Sequence, residues 1–290
     1  MRIARFTVGS ADPAFGVVDG LGPGGETDDA FVAVVEGDPL YRPVRLTGER
    51  VPLADVRLLA PVIPRSKVVG IGRNYAEHAA ELGHEVPAEP LMFLKPNTSV
   101  IGPDDAVVLP EQSAEVHHEA ELAVVIGRLC KDVPAERAAE VVFGYTCADD
   151  VTARDLQRSD GQWARAKGFD TFCPLGPWVS TVLDPSDLAV ACRVNGRTTQ
   201  SGRTGQMIAD VPALVAAVSS AFTLLPGDVI LTGTPAGVGP IVAGDVVEVA
   251  IEGIGTLRHR VVAEPVASAG SSSHAEASPS AGASAGVSSR

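Results

Sequence analysis

The stretch Glu115-Val-His-His-Glu-Ala-Glu-Leu-Ala-Val-Val-Ile-Gly127 sets a pair of acids at the head of an apolar run. In an extended strand, side chains two apart point to the same face. Glu119 and Glu121 therefore project together, with His117 one step back on that side, while His118, Ala120 and Leu122 occupy the other. Two neighbouring carboxylates leading into Leu122–Ile126 repel each other and lose hydration. A hard divalent cation resolves that conflict, because such ions favour carboxylate oxygen. Taken alone, Glu-x-Glu is more simply a solvated strand end.

A second stretch changes the balance. Val142-Phe-Gly-Tyr-Thr-Cys-Ala-Asp-Asp-Val-Thr-Ala-Arg-Asp-Leu-Gln157 starts apolar and puts Asp149 and Asp150 at a strand-to-helix junction. Thr152 is placed to cap the following helix, with Asp155 in its first turn, and by themselves the two acids read as capping groups. A carboxylate about 30 residues after a Glu-x-Glu strand can, however, return at the end of the next strand. Three carboxylates leave roughly three positions of an octahedral ion for water and substrate, which suits Mg²⁺ or Mn²⁺.

Around these segments the chain is rich in short strands. Arg2–Val8, Ala14–Val18, Ala30–Glu36, Lys67–Ile71, Ala106–Leu109, Ala120–Ile126, Trp178–Thr181, Ala189–Val194, Val229–Thr232, Asp245–Ile251 and Gly255–Val262 all have strand-like composition. Helices are expected over Arg73–Leu82, Pro134–Ala139, Thr152–Ala164 and Met207–Ala221. The architecture is therefore mainly β with a few peripheral helices. Pro52–Leu59, followed by Pro61 and Pro64, reads as a connection, so a small N-terminal β domain is expected over 1–62 and a larger domain over 63–265. The Ser/Ala/Gly-rich segment 266–290 has too little apolar surface to offset ordering entropy and reads as a disordered tail.

Three further motifs bear on chemistry. Val68-Val-Gly-Ile-Gly-Arg-Asn-Tyr-Ala-Glu-His-Ala-Ala-Glu-Leu-Gly83 opens like a dinucleotide-binding Gly-x-Gly, but Tyr75 stands where the third glycine belongs. Within it His78 and Glu81 are three apart and share a helix face. A histidine oriented by a carboxylate is a standard general base, although a surface pair is the plainer explanation. Trp163-Ala-Arg-Ala-Lys-Gly-Phe-Asp-Thr-Phe-Cys-Pro-Leu-Gly-Pro177 reads as a loop carrying Lys167 among apolar neighbours. Beside a bound anion this lysine can stabilise an enolate; otherwise it is a snorkelling surface residue. Leu231-Thr-Gly-Thr-Pro-Ala-Gly-Val-Gly-Pro240 offers backbone N–H groups and the Thr234 hydroxyl to a carboxylate, or is just a tight turn. It lacks the Gly-Lys-Ser/Thr ending of a phosphate loop, which argues against nucleotide hydrolysis.

Composition narrows the classes. With 23 Lys and Arg against 36 Asp and Glu, the formal charge is −13, unfavourable for general nucleic-acid binding. No apolar run reaches the roughly 20 residues of a membrane helix. Met1–Val8 alternates like a strand and lacks the apolar core of a signal peptide, so a cytoplasmic protein is expected. Cys130, Cys147, Cys173 and Cys192 are too widely spaced to suggest zinc or a disulfide framework and read as buried thiols.

Together and in this order, the motifs resemble the fumarylacetoacetate hydrolase family. The matching stretches are Val69–Glu81, Met92-Phe-Leu-Lys-Pro96, His118-Glu-Ala-Glu-Leu122, Gly144–Gln157, Lys167-Gly-Phe-Asp-Thr-Phe-Cys-Pro174, Val194-Asn-Gly196 and the run from Leu225-Pro-Gly-Asp to Thr232-Gly-Thr-Pro-Ala-Gly-Val238. The resemblance covers about residues 64–262 and is close to small bacterial acylpyruvate hydrolases, isomerases and decarboxylases. It implies the family's C-terminal β-roll or sandwich. Residue by residue, it implies metal ligation by Glu119, Glu121 and Asp150, water activation by His78 with Glu81, and an active-site Lys167. Substrate contacts are implied for Arg73, Gln157 and Thr234. Gly70–Tyr75 lacks the fourth carboxylate of larger eukaryotic members, and Asp149 stands where many relatives carry Asn.

The expected activity is a Mg²⁺- or Mn²⁺-dependent cleavage of acylpyruvate-type 2,4-dioxo acids, in which His78 activates water against C4 and Lys167 supports the enolate. Decarboxylation of oxaloacetate and isomerisation of a 2-hydroxyhepta-2,4-diene-1,7-dioate would use the same site. A non-catalytic, cation-dependent binding module and an NAD(P) oxidoreductase are the competing classes. The resemblance also implies a homodimer; no nucleic-acid or membrane partner is expected.

Overall fold

The computed structural model describes residues 1–22, 29–81, 83 and 85–264. The segment 266–290 lies outside the described residues, so its expected disorder is not addressed. The fold is mainly β with a few short helices.

The long sheet runs from edge to edge through Leu46–Pro52, Phe31–Val35, Ala14–Asp19, Arg2–Thr7, Cys173–Ser180, Val142–Asp149, Ala120–Ile126, Val229–Leu231, Val68–Gly72 and Leu91–Lys95. The N-terminal strands thus continue the sheet that carries the acids: Arg2 pairs with Ser180 and Ile3 with Val179. A second sheet stacks Arg197–Arg203, Ala189–Val194, Val246–Ile251, Gly255–Ala263 and Ala106–Leu109. A third, small sheet joins Thr152–Ala153, Val116–His118 and Gly239–Pro240.

Ala120–Ile126 is buried at every position because both of its faces are covered. Leu122, Val124 and Ile126 pack into the main core with Val247, Val249 and Leu257 of the second sheet. Ala123 and Val125 face a smaller cluster that includes Ala148, Leu175 and Leu231. Period-2 alternation sends Glu121 to that second face, where it ends an otherwise apolar surface.

Several expectations need correction. Pro52–Leu59 is not merely a connection: Leu46–Pro52 is an edge strand, and Arg57–Leu59 pairs with Arg2–Thr7. Trp163–Pro177 is not a loop but a short helix, Ala164–Gly168, followed by the strand Cys173–Ser180. That strand is buried throughout, so tertiary burial overrides its Gly and Pro content. The helix expected over Thr152–Ala164 is split at Gly161, whose φ of 69° ends Arg154–Asp160 in the left-handed conformation. Thr152 does not cap it; its hydroxyl bonds to Asp150 O at 2.8 Å and the N-cap position falls to Ala153. Pro134–Ala139 forms a 3₁₀ turn over Ala135–Glu140. The helix expected from Arg73 starts only at Ala76, after Arg73 itself turns at φ 59°. The last helix begins at Val211, where Asp210 accepts the N–H of Ala213 at 2.9 Å.

The Gly-x-Gly pair has a packing explanation. A Cβ on Gly70 would lie 2.1 Å from the Phe93 ring, and one on Gly72 would lie 2.4 Å from Trp163. Both glycines admit aromatic rings rather than a pyrophosphate.

Candidate metal centre and active site

Antiparallel pairing of Ala120–Ile126 with Val142–Asp149 sets Ala120 opposite Asp149. One residue beyond that register, Asp150 N–H donates to Glu119 O at 2.9 Å. The hairpin thereby brings together acids far apart in sequence, and ligand oxygens of Glu119, Glu121 and Asp150 lie within 4.8 Å of one another. All three residues are buried, between 1% and 3% exposed. Three acids held this closely away from water need cationic compensation.

Lys167 provides part of it. Its Nζ donates to Glu119 Oε2 at 2.9 Å, Asp150 Oδ2 at 2.5 Å and Thr152 Oγ1 at 2.8 Å. Burial opposes its charge, but Asp150 and Glu119 outweigh burial and raise its pKa above the ordinary lysine value. Phe93 and Trp163 roof the ammonium, with ring centroids 4.9 and 5.9 Å from Nζ. Two further cations stand behind the acids. Lys95 Nζ donates to Asp150 Oδ1 at 2.5 Å, and Arg154 forms a short ion pair with Glu119 Oε1. Neither had a role assigned from the sequence. The available signal was a lysine at the end of the apolar Met92-Phe-Leu-Lys-Pro96 run, since a buried lysine requires an acid partner.

The acids differ electrostatically. Burial works against ionising Glu119, but Arg154 and Lys167 prevail and hold its carboxyl well below the usual range. Burial, then the charges of Asp150 and Glu119, push the Glu121 carboxyl well above it. Glu121 carries the unrelieved repulsion of the cluster, which a divalent cation between the three carboxylates would relieve. The donor set, all oxygen and all acidic, fits such an ion.

The turn after Val229–Leu231 cradles carboxylates, as its composition suggests, but they are the protein's own. Gly233 N–H donates to Glu121 Oε2 at 2.7 Å, and Gly237 N–H reaches Glu81 Oε1 at 3.1 Å and Oε2 at 3.2 Å. The Thr234 hydroxyl donates to Ala120 O at 2.8 Å and accepts from Gln200 Nε2 at 2.7 Å. Glu81 in turn lies 3.3 Å from His78 Nδ1. His78 is buried on its helix rather than displayed at the surface.

Arg73, His78, Glu119, Glu121, Gln157, Lys167 and Thr234 line a single cleft together with Arg154 and Trp163. Asp150 and Glu81 are not among its lining residues but contact two that are, Lys167 and His78. His117 does not join: its ring faces Glu115 at 3.4 Å, and burial, with Arg154 nearby, pushes its pKa down to about 4.

Fold and cleft together define a β protein with a buried three-carboxylate centre and an adjoining histidine–glutamate pair. Residues 67–262 match the family described as fumarylacetoacetate (FAA) hydrolase C-terminal, and residues 1–61 match Rv2993c-like, N-terminal. The chain belongs to the fumarylacetoacetate hydrolase family. It is 54% identical to protein Rv2993c of Mycobacterium tuberculosis over 90% of this chain and 98% of that one. It is 49% identical to human mitochondrial oxaloacetate tautomerase FAHD2A over 73% and 71%. Among solved structures, the 2-hydroxyhepta-2,4-diene-1,7-dioate isomerase of Mycobacterium marinum is 49% identical and covers 92% of this chain and all of that one, with a TM-score of 0.83. The fumarylpyruvate hydrolase of Pseudomonas aeruginosa, solved with Mn²⁺ and pyruvate, is 38% identical over 70% of this chain and 91% of that one, with a TM-score of 0.66. The last three of these relatives are named as enzymes. No helix among the described residues is long and apolar enough to cross a membrane.

Proposed function

We propose that the protein is a divalent-metal-dependent hydrolase that cleaves the C3–C4 bond of acylpyruvate-type 2,4-dioxo acids. The observation that carries this reading is the meeting at one cleft of two different devices: Glu119, Glu121 and Lys167, clustered with Asp150, and His78 backed by Glu81. Glu119, Glu121 and Asp150 would hold Mg²⁺ or Mn²⁺, which when bound supplies Lewis-acid polarisation of the 2-oxo group.

The chain's own residues do the rest. His78 Nδ1 is engaged by Glu81, which leaves Nε2 to take a proton from water as that water attacks C4. The C3–C4 bond breaks, its electrons pass into the C2–C3 enolate, and the Lys167 ammonium stabilises the charge that develops on O2. Protonation at C3 gives pyruvate, and the acyl half leaves as a carboxylic acid. Three acids against Lys95, Lys167 and Arg154 make the cluster formally neutral without an ion. Adding a divalent cation, with Arg73 at the cleft, makes it positive and suited to a polyanionic oxo-acid.

A second reading, enol–keto tautomerisation or isomerisation on the same site, is favoured by the identity to the human oxaloacetate tautomerase and to the M. marinum isomerase. A panel of acylpyruvates, fumarylpyruvate, oxaloacetate and 2-hydroxyhepta-2,4-diene-1,7-dioate, assayed with Mn²⁺ or Mg²⁺, decides between them. Hydrolysis predicts pyruvate from the acylpyruvates; turnover of only the enolic substrates without C–C cleavage replaces it with the second reading. Oxaloacetate decarboxylation is scored in the same panel by CO₂ release. The reading includes a cytoplasmic location and a homodimer, the latter supported by exposed Leu91 and Leu94 on the edge strand Leu91–Lys95 and tested by light scattering.

A further inference from the structure

We infer that Thr234 is a hydrogen-bond acceptor that holds the attacking water beside His78, with Gln200 as the residue that positions its hydroxyl. The inference rests on the proposed hydrolysis and assigns the second group that aims its nucleophile.

Gln200 is fully buried and spends its whole amide. Its Oε1 accepts the Ala120 N–H at 2.9 Å and faces His118 Nδ1 at 3.1 Å. Its Nε2 donates to Pro235 O at 2.8 Å and to Thr234 Oγ1 at 2.7 Å. A backbone N–H can only donate and a carbonyl can only accept, so Ala120 and Pro235 admit one orientation of the amide. A hydroxyl has one hydrogen and two lone pairs. Gln200 Nε2 takes one lone pair of Thr234, and Ala120 O takes the hydrogen at 2.8 Å. Thr234 is left with a lone pair and no hydrogen to offer. A 2,4-dioxo acid in its keto form presents only acceptor oxygens, so the substrate contact implied for this hydroxyl would oppose two acceptors. Water presents hydrogens.

Thr234 and His78 line the same cleft, and one turn serves both. Three residues after Thr234, the Gly237 N–H grips Glu81, which engages His78 Nδ1 at 3.3 Å. A water that attacks C4 through a lone pair has two hydrogens to place. His78 Nε2 accepts the one that transfers, and Thr234 Oγ1 accepts the one that stays. The bond from water oxygen to C4 forms as the first proton reaches His78. The C3–C4 bond then breaks into the enolate, and His78 returns its proton to C3. The hydrogen held by Thr234 leaves on the new carboxylic acid. Gln200 comes from the strand Arg197–Arg203 of the second sheet and does not line the cleft, so its effect on the water passes through Thr234.

The test uses the full chain with Mn²⁺ and an acylpyruvate in water–methanol mixtures, scoring carboxylic acid against methyl ester. Methanol attacks C4 with a single O–H, which His78 takes, so it has no hydrogen for Thr234. Loss of the acceptor therefore penalises water alone. Thr234→Val is expected to raise the ester-to-acid ratio about tenfold. It should also lower kcat for hydrolysis about 10–100-fold with KM within about twofold of wild type. Gln200→Met is expected to raise the ratio about threefold, while Thr234→Ser, which keeps a hydroxyl, holds the wild-type ratio. A purely structural role lowers ester and acid together and leaves the ratio unmoved. Thr234→Ala takes the place of Thr234→Val if that variant does not fold. An unmoved ratio in the folded variant, or a raised KM with unchanged kcat, overturns the inference; an unmoved ratio in folded Gln200→Met overturns the part given to Gln200. Failure of wild type to release pyruvate from any acylpyruvate overturns instead the proposed function on which it rests.

Discussion

Asp149 Oδ2 lies 2.8 Å from Nε2 of His259, and both side chains are fully buried. The bond ties the long sheet to the second one across 110 residues of chain. The other Asp149 oxygen accepts the Glu119 N–H at 2.7 Å. The acid at this position therefore faces a histidine and a backbone amide, while its neighbour Asp150 turns toward Lys95 and Lys167. Asp149→Ala removes both contacts and is expected to lower unfolding stability by about 3–5 kcal/mol, read from urea denaturation. Asp149→Asn keeps an acceptor for Glu119 N–H and should lose distinctly less.

Lys167 contributes oppositely to ion binding and to turnover. Its ammonium competes with a cation for Glu119 Oε2 and Asp150 Oδ2, so Lys167→Met is expected to bind Mn²⁺ more tightly than wild type. The same substitution removes the group that stabilises the enolate and should lower kcat by about 10²–10³-fold. Calorimetry and steady-state rates on one preparation check both directions; weaker Mn²⁺ binding contradicts the competition.

His78→Ala should lower acylpyruvate cleavage by about 10²–10⁴-fold while Mn²⁺ binding persists. Glu81→Gln keeps the side-chain length and an acceptor for Gly237 N–H but weakens the orientation of His78, and a loss of about tenfold is expected. Unchanged turnover in His78→Ala would remove the base assignment.

Removal of the ion with chelator should abolish turnover, and Mn²⁺ or Mg²⁺ should restore it. Glu121→Ala should not be restored. It deletes the carboxyl whose ionisation most depends on a cation, and relief of the repulsion with Asp150 and Glu119 predicts an unchanged or higher melting temperature without metal. Thermal melts with and without metal read this directly.

The buried thiols predict an alkaline limit. Burial pushes Cys147 and Cys173 up to about 12 and raises Cys192 as well. These groups stay protonated in the fold, whereas in the unfolded chain they ionise near 9, so the unfolded state binds fewer protons above that pH. Stability is full below about pH 9 and falls as pH rises toward 12, by about 1.4 kcal/mol per pH unit for each thiol. Urea midpoints measured from pH 8 to 10.5, compared with Cys147→Ser, test the slope.

How far the chain could be read depended on the range of the interaction. The strand Ala120–Ile126 and the shared direction of Glu119 and Glu121 follow from period-2 alternation, which is local. The first part of the strand Cys173–Ser180, up to the expected Trp178–Thr181, was hidden by Pro174, Gly176 and Pro177, whose local preferences oppose it while burial imposes it. Thr152 had the composition of a cap, yet its hydroxyl is used by Asp150 and Lys167, contacts that no local pattern encodes.

Residue types and spacings were sufficient for a mainly β chain, a clustered acidic motif and a histidine–glutamate pair on one helical turn, because each is decided within a few residues. The direction of each carboxylate oxygen was settled only by the packed whole. Lys95 reaches Asp150 from 55 residues away, Gly233 reaches Glu121 from 112, and His259 holds Asp149 from 110. Hydrogen bonds that long in sequence exist only after the strands have paired, and they determine which oxygens of the cluster face a common centre.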